Sequence, residues 1–356
     1  MGIKKLIYPA LVINRRAPAN LKQGDEIFFG GNLFKCYLPA SHLNYFQNVI
    51  VSDIGVIIKN FRLQKKLIAC YDEDFKKFAL RYLAKVLFRT KHIKSDNTIT
   101  YLLIFDNYSG PNGFFHWISD GLSKLIELQN ELGNYTLIAP EYFKNEKIYI
   151  ETIAFFDIRK TYYIKPNTSL KVEKLMVSDF IAPSGDFHPE NANKLRDFIW
   201  QNCIEKNEII KGENRIYISR SKASRRFLIN EKDVESLLKE YNFQIINMED
   251  YSFREQVNIA YHARLLVSIH GGALTHIHFM KQDSCVLEFR KENDSKNNCY
   301  FSLADAMKVN YYYQFCKCRE ISDVANNFDL TVDLNELKKN IELMIENSSS
   351  KSSVSN

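Results

Sequence analysis

No apolar run in this sequence is long enough to span a bilayer, and the basic residues 1–9 lack the apolar core of a signal peptide. A membrane span and a secretory leader are therefore not expected. The expected location is the cytoplasm, with peripheral contact at the inner face of the cell membrane left open. Cysteine is scarce and odd in number: Cys36, Cys70, Cys203, Cys285, Cys299, Cys316 and Cys318 show no framework spacing. That excludes a secreted disulfide scaffold. Cys316 and Cys318 have no matching second pair, so a zinc site is not expected. Neither sign of charge dominates, since the net charge is +6 over 356 residues. Such a balance suits an anionic substrate or a membrane surface and does not demand nucleic acid. The clustered basic residues form one short loop, not a stripe interleaved with exposed aromatics, which argues against a nucleic-acid binder. No internal repeat is visible.

What is present is a globular chain with 46% hydrophobic and 25% charged residues, enough for one large or two medium domains. Its most ordered pattern lies in residues 215–290. An apolar run ends in Ser219-Arg220, and the basic loop 221–226 follows. Helical periodicity over 231–241 leads to a strand pattern over 243–247. A second helical pattern over 252–263 feeds the buried-type strand 265–269, which ends in His270-Gly271-Gly272-Ala273-Leu274. A last strand covers 284–289. Strands alternating with helices of ordinary length predict βαβ units on a parallel sheet. Ligands then bind beyond the carboxyl ends of the strands.

Two polar clusters fall at those ends. Glycines between a strand and a helix start let backbone approach a ligand closely, and the free N–H groups there favour an anion. Arg220 and Arg225 could add bidentate grips on phosphate oxygens. Each feature alone has a bland reading: a tight turn, a solvated loop, a satisfied core histidine. Together, at one edge of one predicted sheet, they point to an anion site.

The first half is β-rich over 21–64, with strands on either side of an Asp53-Ile54-Gly55 turn. An amphipathic helix is expected over 74–89 and a buried strand over 98–106. A loop dense in turn formers, 107–113, precedes a helix over 114–131 and a strand over 136–139. On that helix His116 and Asp120 share a face, and Lys124 continues the stripe. A histidine and a carboxylate so placed can move a proton, one accepting it while the other orients. They can equally be a pair that only steadies the start of the helix. Short strands follow residue 161, and a domain boundary is expected near 183–189. Helices are expected over 190–203, 300–307 and 334–345, with a strand over 311–315 and a serine-rich disordered tail. The domains read as 1–185, 186–346 and the tail 347–356.

These residues resemble glycosyltransferase family 61. The resemblance rests on the strand ending in Ser219-Arg220, on Asn230 opening a helix, on Glu255-Gln256, on the strand ending in His270-Gly271-Gly272-Ala273-Leu274, and on His116 with Asp120. The family usually shows His-Gly-Ala-Gly-Leu, so the second glycine and the alanine are exchanged here. The resemblance implies an α/β fold of the GT-B type, two Rossmann-like domains facing across a cleft. It implies an inverting transfer of a sugar from a nucleotide diphosphate sugar to an acceptor hydroxyl, as in surface polysaccharide synthesis. The acceptor would be an oligosaccharide, lipid-linked or free. The catalytic residues would be Asp120 as base and His116 as its partner or as the base itself. The donor would be held by Ser219, Arg220, Arg225, His270, Gly271, Gly272, Ala273 and Leu274, and Glu288 could hold ribose hydroxyls. No Asp-x-Asp stands in a strand-end context, so neither a metal nor another cofactor is expected. The alternatives are another transferase on the same fold, such as a pyruvyl transferase, or a non-enzymatic nucleotide- or nucleic-acid-binding protein.

Overall fold

A computed structural model describes residues 4–68, 72–110, 113–204, 214–223, 225–320 and 328–352. Cys70, the Pro111-Asn112 part of the turn-rich loop, Ser224 of the basic loop and the final residues 353–356 lie outside them. The chain forms two compact units, Met1–Leu11 with Leu38–Ser184 and Val12–Tyr37 with Gly185–Asn356. Among the described residues no helix is long and apolar enough to cross a membrane.

Along the first unit run β1 (Lys4–Tyr8), β4 (Ser41–Ser52), β5 (Ile57–Lys59), β6 (Arg62–Leu63), β7 (Lys91–Lys94), β8 (Thr100–Leu103), β9 (Thr136–Pro140), β10 (Lys160–Ile164) and β11 (Thr168–Ser178). Between β1 and β4 the chain makes a ribbon of β2 (Leu11–Asn14) and β3 (Lys35–Leu38). The sheet order is β10-β9-β8-β11-β4-β5-β6, with β1 on β4 and β7 on β11. β10, β9, β8 and β11 are parallel, whereas β4 is antiparallel to β11. This sheet is mixed: β8 and β9 keep the parallel pairing of a strand–helix–strand order, and the β-rich lead-in adds β4, β5 and β6 antiparallel. The long β11 replaces one of the short strands expected after residue 161. Its exposed Lys171, Glu173 and Lys174 interrupt the apolar pattern, while Leu170, Val172, Leu175 and Val177 are buried between β8 and β4. The helix Asp72–Arg89 lays Tyr82 and Val86 on Val56, Ile58 and Ile68.

The second unit holds β12 (Asn214–Ile218), β13 (Phe243–Ile246), β14 (Ala263–Ile269), β15 (Cys285–Lys291), β16 (Asn310–Glu320) and β17 (Phe328–Thr331). Their spatial order is β13-β12-β14-β15-β16-β17, parallel except for β17. Counted from β12, that is 2-1-3-4-5-6, a doubly wound order whose switch point lies between β12 and β14. Strand side chains alternate between two faces. Leu265, Val267, Leu287 and Phe289 join Val234, Leu238, Leu337 and Ile341 of the helices Glu231–Glu240 and Leu334–Ser352 in one apolar cluster. The opposite face carries Glu288, Arg290 and Tyr311, all buried. Phe29 packs there edge-on against Phe301, Tyr311 and Tyr313, which draws residues 12–37 into this unit.

Two helical expectations change. The last helix runs to Ser352, not 345, into what the sequence marks as a disordered tail. Ser348 is buried there, its carbonyl accepts from Arg264, and Asn347 donates to the Tyr312 hydroxyl. After β14 the chain enters a 3₁₀ segment, Gly272–Phe279, rather than an α-helix. His278 is wholly buried within it, and burial, with His276 beside it, pushes the imidazole down to about 3. An unfolded histidine titrates near 6.5. The unfolded chain therefore binds a proton that the folded chain refuses. Stability is full above about 6.5 and falls as pH drops toward 3. Thermal unfolding followed from pH 7 to pH 4 should show this loss, and His278→Gln should flatten the dependence by about one proton.

Candidate functional site

The carboxyl ends of β12 and β14 bring the expected donor-side residues together. Ser219 follows β12, and its hydroxyl donates to Glu231 Oε1 at 2.8 Å and accepts the Ser221 amide at 3.1 Å. Glu231 also takes the Tyr217 hydroxyl at 2.9 Å, so it pins the exit of this strand. Arg220 and Arg226 then converge on Gly271. A Cβ at Gly271 would lie 2.8 Å from Arg220 Nη1 and 3.5 Å from Arg226 Cζ, so a side chain there would press on the first guanidinium and touch the second. Arg220 Nη2 donates to the Arg225 carbonyl at 3.2 Å. The Nε atoms of Arg220 and Arg226 are buried without a hydrogen-bond partner. Among the described residues neither arginine forms a salt bridge. Burial first, then the neighbouring Arg220, pushes Arg226 down to about 10; burial is also the main cause lowering Arg220. Glu249 attracts Arg220 only from beyond salt-bridge distance, and two like charges held largely out of water without a salt-bridge partner are costly unless an anion joins them.

Arg226 was missed by sequence reasoning, which chose Arg225 from the same doublet. Arg225 is exposed, whereas Arg226 turns inward on a backbone of φ +63°. Nothing in an Arg-Arg doublet tells which side chain faces in. Leu274 is buried in the core, and the Ala273 carbonyl accepts from His276 at 2.7 Å; both support the loop. Gly272 has open space where a Cβ would stand, so the exchange of glycine and alanine relative to the family pattern costs nothing sterically at this position. Asn230 and Gln256 also have structural duties. Asn230 brackets Val332 through both ends of its amide, and Gln256 donates to the Met248 and Tyr251 carbonyls with its Oε1 3.0 Å from His276 Nε2.

Glu288 is not at a strand end. It is the fourth residue of β15, fully buried, with one carboxylate oxygen on His270 Nδ1 and the other on the Tyr311 hydroxyl at 2.5 Å. Both oxygens are engaged, so the grip on ribose expected from sequence is not available to it.

On the first unit the loop after β8 leads into the segment that carries His116 and Asp120. The single helix expected over 114–131 is broken: Phe114–His116 is α, Trp117–Leu122 is a π turn, and Ser123–Ile126 is α again. Such wide turns recur at functional sites. Gly121 makes room for it, since a Cβ there would meet the Trp117 ring at 2.7 Å. Trp117 is fixed by its Nε1 donating to Thr152 at 2.9 Å. His116 Nδ1 lies 2.8 Å from Asp120 Oδ2, and the Ser184 hydroxyl donates to the same oxygen at 3.0 Å. Ser184, which falls inside the domain boundary expected at 183–189, is thus a third member. The His116 side chain is 28% exposed and that of Asp120 7%. Behind them Lys124 is buried against Asp106 at 3.3 Å and over the Phe180 ring at 4.1 Å, so the stripe's third residue is a strut.

A sequence model of the family described as Glycosyltransferase 61 matches residues 114–287. This stretch belongs to glycosyltransferase family 61. It includes the His116–Asp120–Ser184 cluster, both inward arginines and the loop after β14; Glu288 lies one residue beyond. Two relatives, described as EGF domain-specific O-linked N-acetylglucosamine transferase, are similar over part of the chain. The Pan troglodytes protein is 27% identical over 105 residues, 28% of this chain and 20% of its own length. The Drosophila melanogaster protein is 31% identical over 98 residues, 27% of this chain and 18% of its own length. The matched part of the chain thus spans about a fifth of each of these relatives.

Gly271→Ala in this family 61 loop must push the Arg220 guanidinium aside, whereas Gly272→Ala meets open space. The first should lower anion affinity about tenfold or more, as a charge-assisted contact is worth roughly 1.5–3 kcal/mol. The second should leave affinity and melting temperature unchanged. Calorimetry with a nucleoside diphosphate on both variants checks this, and equal losses would remove the close approach as the cause.

Proposed function

We propose that the protein is an inverting, metal-independent glycosyltransferase that moves a sugar from a nucleotide diphosphate to an acceptor hydroxyl. The observation that carries this reading is the Arg220–Arg226 pair, desolvated against Gly271 at the switch point of a doubly wound sheet. A departing diphosphate supplies the negative charge that the pair lacks, and two guanidinium groups can do there the work that other transferases give to a metal. Arg225, exposed beside them, adds long-range attraction. The two units are read as the two halves of a GT-B enzyme, the second for the donor and the first for the acceptor.

The acceptor's oxygen attacks the anomeric carbon, the carbon–oxygen bond to the diphosphate breaks, and the diphosphate leaves with the bonding electrons. The acceptor's proton needs a base. Asp120 is the less suited of the pair, because Oδ2 already takes both His116 Nδ1 and the Ser184 hydroxyl and the group is nearly buried. A carboxylate oxygen can only accept, so the Nδ1 proton stays on His116 and its Nε2 lone pair is left for the acceptor. His116 is therefore the proposed base, Asp120 the group that orients it and stabilises its charged form, and Ser184 the brace for Asp120. The acceptor is proposed to be an oligosaccharide of a surface polysaccharide. The relatives' printed name makes an EGF domain the substrate to offer beside it.

Arg226→Ala and Arg220→Ala should each weaken nucleoside diphosphate binding by roughly 1.5–3 kcal/mol, one to two powers of ten. Excess chelator should leave the wild-type affinity unchanged. Unchanged affinity in both variants would sink the donor site, and a requirement for magnesium or manganese would sink its metal independence.

Asp120→Asn keeps the volume but loses the negative charge that holds the His116 tautomer and stabilises its charged form. Turnover should fall by a factor on the order of 10²–10⁴ with donor affinity retained. Steady-state rates beside calorimetry decide it, and near-normal turnover would make the cluster structural.

A further inference from the structure

The proposed reaction leaves one buried polar chain unused: Tyr311, Glu288 and His270, running from β16 through β15 to the end of β14. Glu288 is fully buried and His270 keeps 7% exposure. Glu288 Oε2 accepts the Tyr311 hydroxyl at 2.5 Å, and Oε1 meets His270 Nδ1. Burial, followed by the charge of Glu288, raises the Tyr311 phenol well above its ordinary value, so it keeps its proton and donates. Carboxylate oxygens only accept, so the proton between Glu288 and His270 belongs to Nδ1. The Tyr300 ring stands edge-on at 5.1 Å and limits rotation of the imidazole. Among the described residues Nε2 carries no hydrogen bond. The next residue in the chain is Gly271, where Arg220 and Arg226 meet.

Guanidinium groups are donors without acceptors, which matches phosphate oxygens. A neutral imidazole protonated on Nδ1 offers the opposite, a lone pair at Nε2, which matches a hydroxyl. We propose that Glu288 and Tyr311 are positioning residues that lock His270 with its proton on Nδ1, so that Nε2 accepts a hydrogen bond from a hydroxyl of the donor nucleotide beside the diphosphate. The inference rests on the nucleotide-sugar reading of this site. It replaces the direct grip of Glu288 on ribose with an indirect one through His270, and it makes His270 a specificity element for hydroxyl-bearing ligands. The hydroxyl belongs either to the ribose or to the transferred sugar.

Nuclear magnetic resonance of the imidazole nitrogens in the unliganded, ¹⁵N-labelled wild-type protein reads the tautomer without any ligand. A neutral ring with its proton on Nδ1 is expected, and a proton on Nε2, alone or together with one on Nδ1, overturns the proposal. In Glu288→Gln, the Tyr311 hydroxyl captures the amide oxygen and turns the amide N–H toward His270. Nδ1 must then accept, and the proton moves to Nε2. That variant should show the reversed tautomer and bind nucleoside diphosphate about tenfold more weakly, one hydrogen bond's worth. Inorganic pyrophosphate, which has no sugar hydroxyl, should bind as in the wild type. Adding Tyr311→Phe frees the amide to rotate, so the double variant should regain the Nδ1 proton and the lost affinity. Loss of affinity only for the nucleotide sugar, and not for the nucleoside diphosphate, assigns the hydroxyl to the transferred sugar. Equal weakening of pyrophosphate would place His270 on phosphate and overturn the hydroxyl role. A reversed tautomer with unchanged affinity for both nucleotides would do the same. If the wild type binds neither pyrophosphate nor nucleotide, the nucleotide reading and the hydroxyl role fail together, while the wild-type tautomer still decides whether Glu288 positions the ring.

Discussion

Arg220 and Arg226 place two positive charges against one glycine, largely out of water. Coulomb repulsion and desolvation both oppose this, and no carboxylate salt bridge among the described residues offsets them. The surrounding structure is what forces the arrangement. Ser219 is tied through Glu231 to the first turn of the following helix, which fixes where Arg220 leaves β12. The loop returns to the sheet where the Phe227 amide binds Asp329 and Ile229 meets Leu330, which fixes where Arg226 stands. The parallel pairing of β12 and β14 then sets Gly271 between them. A fold that holds like charges together in the absence of ligand is preorganised for an anion, since little reorganisation remains when the anion arrives.

Each unit carries a histidine whose Nδ1 is held by a carboxylate: His116 on Asp120, His270 on Glu288. The two pairs differ in burial. Asp120 is itself buried one turn from its histidine, but His116 is partly exposed and the bracing serine is exposed, which suits a histidine that must receive a proton and release it to water. Glu288 is inside the sheet, with Arg290 two residues on and on the same face of the strand. Arg290 is itself packed over Phe29 at 5.0 Å and Phe315 at 5.6 Å. A carboxylate so enclosed is suited to fixing an orientation. The same two residue types thus fit different duties according to the water around them.

Much of this was legible in the sequence. The alternation of strands and helices over residues 215–290 follows from hydrophobic periodicity, and strands buried on both faces read as continuous apolar runs. The clustering of Ser219, Arg220 and His270-Gly271 follows from the rule that parallel strands present their carboxyl ends together. The four-residue spacing of His116 and Asp120 likewise places them on one face whether the turn between them is α or π. What was misjudged depended on partners distant in sequence. β11 looked like short strands because its exposed lysines and Glu173 break the pattern. The tail looked disordered because serine is a weak helix former, and the helix continues there because Ser348 and Asn347 find partners on Arg264 and Tyr312.

By itself, then, the sequence determined the alternation of strands and helices over residues 215–269 and which polar residues end those strands, because local periodicity and chain order suffice for that. Only the tertiary structure decided that Arg226 and not Arg225 turns inward, that Ser184 joins His116 and Asp120, and that Glu288 serves His270 rather than a ligand. Each of these turns on a contact between residues separated by many positions, or on a backbone angle such as the positive φ of Arg226. Neither leaves a trace in the order of side chains along the chain.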